Sequence, residues 1–150
     1  IRKIAENPKV IGFKDSSASG GYFQSVMHEF RDRPDFALFV GPEEMMAESV
    51  LMGAHGGVNG GANMFPKLYG GLYKEAGGQK IGKRRPLHAK VMQISSSIYT
   101  VGSYGSSYLK GVKAALNVMG ICSDVLAKPF SKFDEEEKNQ IRLALEKLEL

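Results

Sequence analysis

Val10-Ile11-Gly12-Phe13-Lys14-Asp15-Ser16-Ser17 is the stretch on which the fold turns. An apolar run ends in a lysine, and polar residues suited to starting a helix follow at once. The pattern predicts a short strand buried on both faces, as in a parallel sheet. Asp15 to Ser19 then offer several N-cap candidates for a following helix. Lys14 is thereby placed at the carboxyl end of the sheet, the end at which open α/β sheets and closed barrels both bind ligands. Two readings of that lysine stand. In one, its stem lies along apolar neighbours and its ammonium reaches water or Asp15. In the other, it is an amine desolvated enough to attack a carbonyl and form a Schiff base.

Outward from this strand, the spacing predicts alternating elements. Ile1 to Glu6 read as the end of a helix stopped by Asn7-Pro8, which leads us to expect chain preceding it. After Lys14, Phe23, Val26, Met27 and Phe30 mark one face of a helix closed by Arg33-Pro34. Phe36 to Val40 is a second apolar strand ending at Gly41-Pro42. A helix from Glu43 to Met52 is expected next, with carboxylates in its first turn and Gly53 past its end. Gly56 to Asn63 reads as a third strand and its loop. Pro66 suits the first turn of another helix, whose buried side is expected to hold Leu68, Tyr69, Leu72 and Tyr73. Strand and helix thus alternate with short connections, the pattern of βαβ units.

From Pro86 onward the strands stop. Val91, Ile94, Ile98 and Val101 predict one helix, and Leu109, Val112, Leu116 and Met119 another. Asp134 with Glu137 has capping-box spacing for a last helix with an Ile141, Leu145 and Leu148 stripe. Two parts are therefore expected, residues 1–85 and a helical extension over 86–150.

The 150 residues, 43% of them hydrophobic, suffice for one packed domain, and no apolar run approaches a membrane span. No signal-peptide pattern opens the sequence, so a cytoplasmic location is expected. A single cysteine, Cys122, forms no internal disulfide and no cysteine-based metal site. The net charge of +4 is scattered except at Lys80, Lys83, Arg84 and Arg85. That group lacks interleaved aromatics and reads as a solvated turn, so nucleic acid is not an expected partner. His28, His55 and His88 lie on separate elements without metal-ligand spacing, and His28 is expected on a helix surface. Gly102 to Ser107 opens a helix, either as an anion cradle or as an ordinary glycine linker.

Glycines 56, 57, 60 and 61 carry more. Glycine weakens a strand unless backbone or ligand approaches closely there. Three successive strand ends thus offer a lysine, a glycine turn followed by two carboxylates, and a glycine-rich floor, which a barrel mouth would gather into one pocket.

Gly12-Phe13-Lys14-Asp15-Ser16-Ser17, Gly41 with its acidic followers, Gly53-Ala54-x-Gly56-Gly57-Val58 and Ala62-Asn63-x-x-Pro66 occur in order. With Lys113-Ala114-Ala115-Leu116, Gly120 and Lys128-Pro129-Phe130, they make the chain resemble the dihydrodipicolinate synthase/N-acetylneuraminate lyase family throughout. The resemblance implies an α/β fold: the C-terminal part of a (β/α)8 TIM barrel, strands six to eight, with a C-terminal helical extension. It also implies a class I pyruvate-dependent aldolase or lyase in which Lys14 forms the imine with pyruvate or another 2-keto acid, without metal or organic cofactor. By the same resemblance Val58 contacts the keto acid through its backbone and Gly41 lines the pocket. Ser16, Glu43 and Glu44 match contacts to the hydroxylated tail of a sugar acid, and Gly60 stands where some lyases have a serine. The family's paired-threonine loop and strand-end tyrosine have no counterpart here, so an N-terminal barrel half is an expected partner, along with a homo-oligomer, dimer or tetramer. The acidic pair points to a hydroxylated substrate. Dihydrodipicolinate synthase proper, which joins pyruvate to aspartate semialdehyde, is the alternative, and a non-catalytic half-barrel for binding or assembly is the rival from another class.

Overall fold

A computed structural model describes residues 1–78 and 81–148. Lys80, one of the four clustered basic residues, lies outside them. The order is α1 (Arg2–Ala5), β1 (Gly12–Asp15), α2 (Gly20–Glu29), β2 (Ala37–Val40), α3 (Met46–Leu51), β3 (Gly56–Gly57), α4 (Pro66–Gly77), α5 (Ile81–Ile98), α6 (Ser107–Val118) and α7 (Glu135–Lys147). Single 3-10 turns at Glu43–Met45 and Gly60–Asn63 lead into α3 and α4.

The strands form one parallel sheet in the order β1-β2-β3. Lys14 pairs with Phe39, and Phe39 with Gly56. Side chains alternate across a strand, so these three share one face. Leu38, Val40 and Asp15 share the other face and are buried. Where strands buried on both faces are expected of a whole sheet, the described residues cover one face of these three. The helices cover the Leu38–Val40 face, while Lys14 is exposed and Phe39 half-buried among the described residues.

The core beneath the sheet joins Phe23 and Val26 of α2, and Phe30 just past its end, to Met46, Leu72, Val91, Ile94, Ile98 and Ile141. Each such side chain contributes about 1.5–3 kcal/mol by leaving water. Ser19 caps α2, accepting from the Tyr22 amide, and Asp134 with Glu137 completes a capping box on α7. His28 lies exposed on α2.

Several expectations need correction. The region from Glu43 is a 3-10 turn followed by a shorter α-helix, and only two residues of the glycine run form a strand. Tyr73, expected on the buried side of α4, stands beside Gly56 of β3 and is 46% exposed. Helix α5 begins at Ile81 and continues through Pro86, so Lys83, Arg84 and Arg85 are helical rather than part of a turn. A proline inside a helix forfeits one backbone hydrogen bond, which the packing of Val91, Ile94 and Ile98 offsets here. The proposed boundary at 85/86 thus falls within a helix. Val101 is buried but follows the end of α5. On α6 the buried side runs through Gly111, Val112, Ala115 and Leu116, leaving Leu109 and Met119 at 40% and 38% exposed. No helix among the described residues is long and apolar enough to cross a membrane.

Candidate active site

The loop after β1 is fixed by its own hydrogen bonds. The buried Asp15 carboxylate accepts from the Ser17 amide at 3.0 Å and the Ser17 hydroxyl at 2.9 Å. Ser17 Oγ in turn accepts from the Ser19 amide at 3.2 Å, leading directly into the α2 cap. Asp15 is thus committed to its loop, and Lys14 pairs with no carboxylate among the described residues.

Gly41 ends β2 and donates its amide to the Asp15 carbonyl at 2.6 Å. A Cβ here would lie 2.9 Å from Lys14 Cε and would overlap Ser16 Oγ. The lysine stem and the serine hydroxyl therefore cross the strand end only because residue 41 has no side chain. After β3, the Val58 amide donates to the Val40 carbonyl at 2.9 Å, and the buried Asn59 donates Nδ2 to the Gly41 carbonyl at 2.7 Å. Asn59 Oδ1 occupies the space a Gly57 side chain would need. These bonds hold the three strand ends together.

Lys14, Ser16, Gly41, Glu43, Glu44 and Val58 line one cleft of about 270 Å³, together with Pro42 and Tyr108. Of the residues singled out in the sequence, only Gly60 stands off the wall. A side chain at Gly60 would collide with the Tyr108 hydroxyl.

The two adjacent glutamates differ. Glu43 is 1% exposed, and its Oε2 accepts from the Gly61 amide at 3.1 Å. Burial pushes its carboxyl above the ordinary value of 4.5, with a further push from Glu44, while the phenols of Tyr69 and Tyr99 hold it down. Both phenol hydroxyls are buried, and neither completes a well-directed hydrogen bond among the described residues. Burial first, and then the neighbouring Glu43, raise both phenols above the usual range and keep them neutral. Glu44 is half-buried and accepts a short hydrogen bond from the Ser95 hydroxyl of α5. Its carboxylate is thereby fixed at the cleft.

The sequence offers no tyrosine at a strand end, yet the helices bring tyrosines to the site. Three of them gather at Glu43. Tyr99 and Tyr108 stand edge to face with ring centroids 4.6 Å apart. One signal was present: Gly111 interrupts an apolar helix, where glycine costs about 1 kcal/mol unless something packs closely. A Cβ at Gly111 would strike the Ile98 carbonyl, so α6 lies directly on the end of α5 and carries Tyr108 to the cleft.

Among the described residues no three His, Cys, Asp or Glu side chains come together as metal ligands. The cleft therefore offers one amine, neutral hydroxyls and carboxylate oxygens. Such a set can attack a carbonyl and accept hydrogen bonds from a polar substrate.

Residues 1–148 match the sequence model described as the dihydrodipicolinate synthetase family. A solved dihydrodipicolinate synthase from Bacteroides thetaiotaomicron superposes with a TM-score of 0.94 at 62% identity, covering 98% of this chain and 49% of that one. A probable 2-dehydro-3-deoxy-D-pentonate aldolase of Escherichia coli is 23% identical over 96% of this chain and 47% of its own length. An N-acetylneuraminate lyase of Rhizobium meliloti is 26% identical over 95% of this chain and 45% of its own length. The chain spans about half the length of the curated relatives it matches.

Proposed function

This chain belongs to the dihydrodipicolinate synthetase family, and from that membership we propose that it carries the imine-forming lysine of a class I pyruvate-dependent aldolase or lyase. The neutral amine of Lys14 attacks the keto carbon of a 2-keto acid, and uptake of a proton with loss of water leaves a protonated imine. In the cleavage direction the C4 hydroxyl gives up its proton, the bond between C3 and C4 breaks with its electron pair moving toward the imine nitrogen, and an aldehyde departs, leaving the enamine to take up a proton in turn. Protonation of the resulting enamine at C3 and hydrolysis release pyruvate and return the amine. Condensation is the reverse.

The observation that carries this reading is the crossing of Lys14 over Gly41 into a cleft shared with Ser16 and Glu44. In the proposal Ser16 and Glu44 receive the hydroxyls of the aldehyde portion, and the Val58 backbone lies against the keto acid. The Glu44 carboxylate in the cleft accepts hydrogen bonds from hydroxyls and repels a second carboxylate, which favours a hydroxylated aldehyde. A second reading, condensation of pyruvate with aspartate semialdehyde, is supported by the 62% identity to the Bacteroides chain. The homo-oligomer and the cytoplasmic setting belong to the same proposal, and the first of them rests on the resemblance.

The purified protein, offered 2-dehydro-3-deoxy-D-pentonate in one assay and pyruvate with aspartate semialdehyde in another, separates the two readings by kcat/KM. Lys14→Arg is expected to abolish turnover of either, because guanidinium stays protonated and cannot attack a carbonyl. Turnover surviving in that variant would overturn both.

A further inference from the structure

Among the described residues lining the cleft, Tyr108 is the one supplied by the C-terminal helices, and its position is specified from several sides. Its ring stands edge-on to Tyr99, with centroids 4.6 Å apart and planes 69° from parallel. One turn further along α6, Gly111 lets the helix close onto the Ile98 carbonyl. Its hydroxyl fills the space that any side chain at Gly60 would require. Glycine at 60 and tyrosine at 108 are thus a matched pair: the missing Cβ of one admits the phenol of the other. A phenol held this way both donates and accepts a hydrogen bond without carrying charge. It shares the cleft with the Ser16 hydroxyl and the Glu44 carboxylate, groups suited to alcohol oxygens and unsuited to a second anion.

We propose that Tyr108, admitted by Gly60, is a specificity-determining residue whose hydroxyl binds a hydroxyl group of the substrate's aldehyde portion, selecting polyhydroxylated 2-keto acids. The assignment rests on the reading of Lys14 as the imine-forming amine. Pyruvate alone lacks the hydroxylated portion, so the subsite leaves imine formation with pyruvate untouched.

The test compares two readouts in the purified protein: KM for 2-dehydro-3-deoxy-D-pentonate, and borohydride trapping of pyruvate on Lys14. Tyr108→Phe deletes one hydrogen bond and is expected to raise KM about tenfold, with the pyruvate concentration for half-maximal trapping unchanged. Gly60→Ser drives the phenol from its place and gives the same pattern. In Gly60→Ser/Tyr108→Ala the serine hydroxyl enters the vacated space, and KM falls below that of Tyr108→Ala alone. Melting temperatures measured alongside keep folding defects apart from subsite defects. An unmoved KM in Tyr108→Phe, an equal shift in pyruvate trapping, or no pentonate turnover by a protein that traps pyruvate would each overturn the subsite alone. Absence of trapped pyruvate in the unmodified protein would overturn the aldolase reading and the subsite with it.

Discussion

Gly41→Ala is expected to disable the cleft while leaving the protein folded, and the structure sets the size of both effects. The added Cβ would fall on Ser16 Oγ, 2.9 Å from Lys14 Cε and 3.0 Å from the Asp15 carbonyl oxygen. Ser16 can rotate away. The Asp15 carbonyl cannot, because it accepts the Gly41 amide at 2.6 Å, so the ends of β1 and β2 must separate by some tenths of an ångström. Such overpacking costs about 1–3 kcal/mol. At roughly 2–4 °C per kcal/mol for a chain of this size, the melting temperature should fall by about 2–12 °C. Lys14 Cε must retreat by about 0.5–1 Å to regain an ordinary carbon–carbon contact, and a displacement of that order costs about a hundredfold in rate. Pyruvate trapping by borohydride, followed over time by intact mass, reads the chemistry, and calorimetry reads the stability. Gly70→Ala is the control. It lies within α4 with nothing within 4 Å of its Cβ position, so alanine should add about 0.5–1 kcal/mol and leave trapping alone. Wild-type trapping by Gly41→Ala would refute the claim that the lysine reaches the cleft only across a bare strand end.

Other perturbations separate groups that the sequence treats alike. Glu43 has its folded pKa raised by burial, so the folded state holds its proton above the ordinary 4.5 while the unfolded chain releases it. The stability this contributes is fully present below that value and is lost as pH rises through the raised one. Melting temperature should therefore decline with pH over that window, and Glu43→Gln should flatten the decline; an unchanged slope would refute the buried acid. Glu44→Gln should raise KM for 2-dehydro-3-deoxy-D-pentonate more than it affects pyruvate trapping, whereas Glu43→Gln should act on stability first. Equal KM effects from the two would contradict their different orientations. Gly111→Ala places a methyl against the Ile98 carbonyl and should cost about 1–3 kcal/mol, measured by denaturant titration. A neutral result would mean that α6 has room to shift.

The parts legible in the sequence are those whose signals are local. A β-branched run ending in Lys14, a glycine-proline stop at Gly41 and the glycines after Ala54 each mark a strand end, and parallel βαβ order puts such ends on one side. The capping box of α7 is equally local. What escaped depends on contacts between distant elements. Glu43 and Glu44 are chemically alike and adjacent, and only the Gly61 amide on one and the Ser95 hydroxyl on the other tell them apart. Tyr108 lies off the stripe expected for α6, because that stripe counted Leu109 and Met119 and overlooked the close approach at Gly111. Pro86 marks the expected boundary after residue 85 because its cost is visible in sequence, while the packing that offsets it within α5 is not.

The most direct measurement of the central claim is peptide mapping after incubation with pyruvate and borohydride. The account predicts a single stable adduct, the mass of pyruvate joined through a reduced imine, on the peptide carrying Lys14. It also predicts none in Lys14→Ala, with the other lysines unmodified. An adduct on any other lysine, or one that persists in Lys14→Ala, would contradict it.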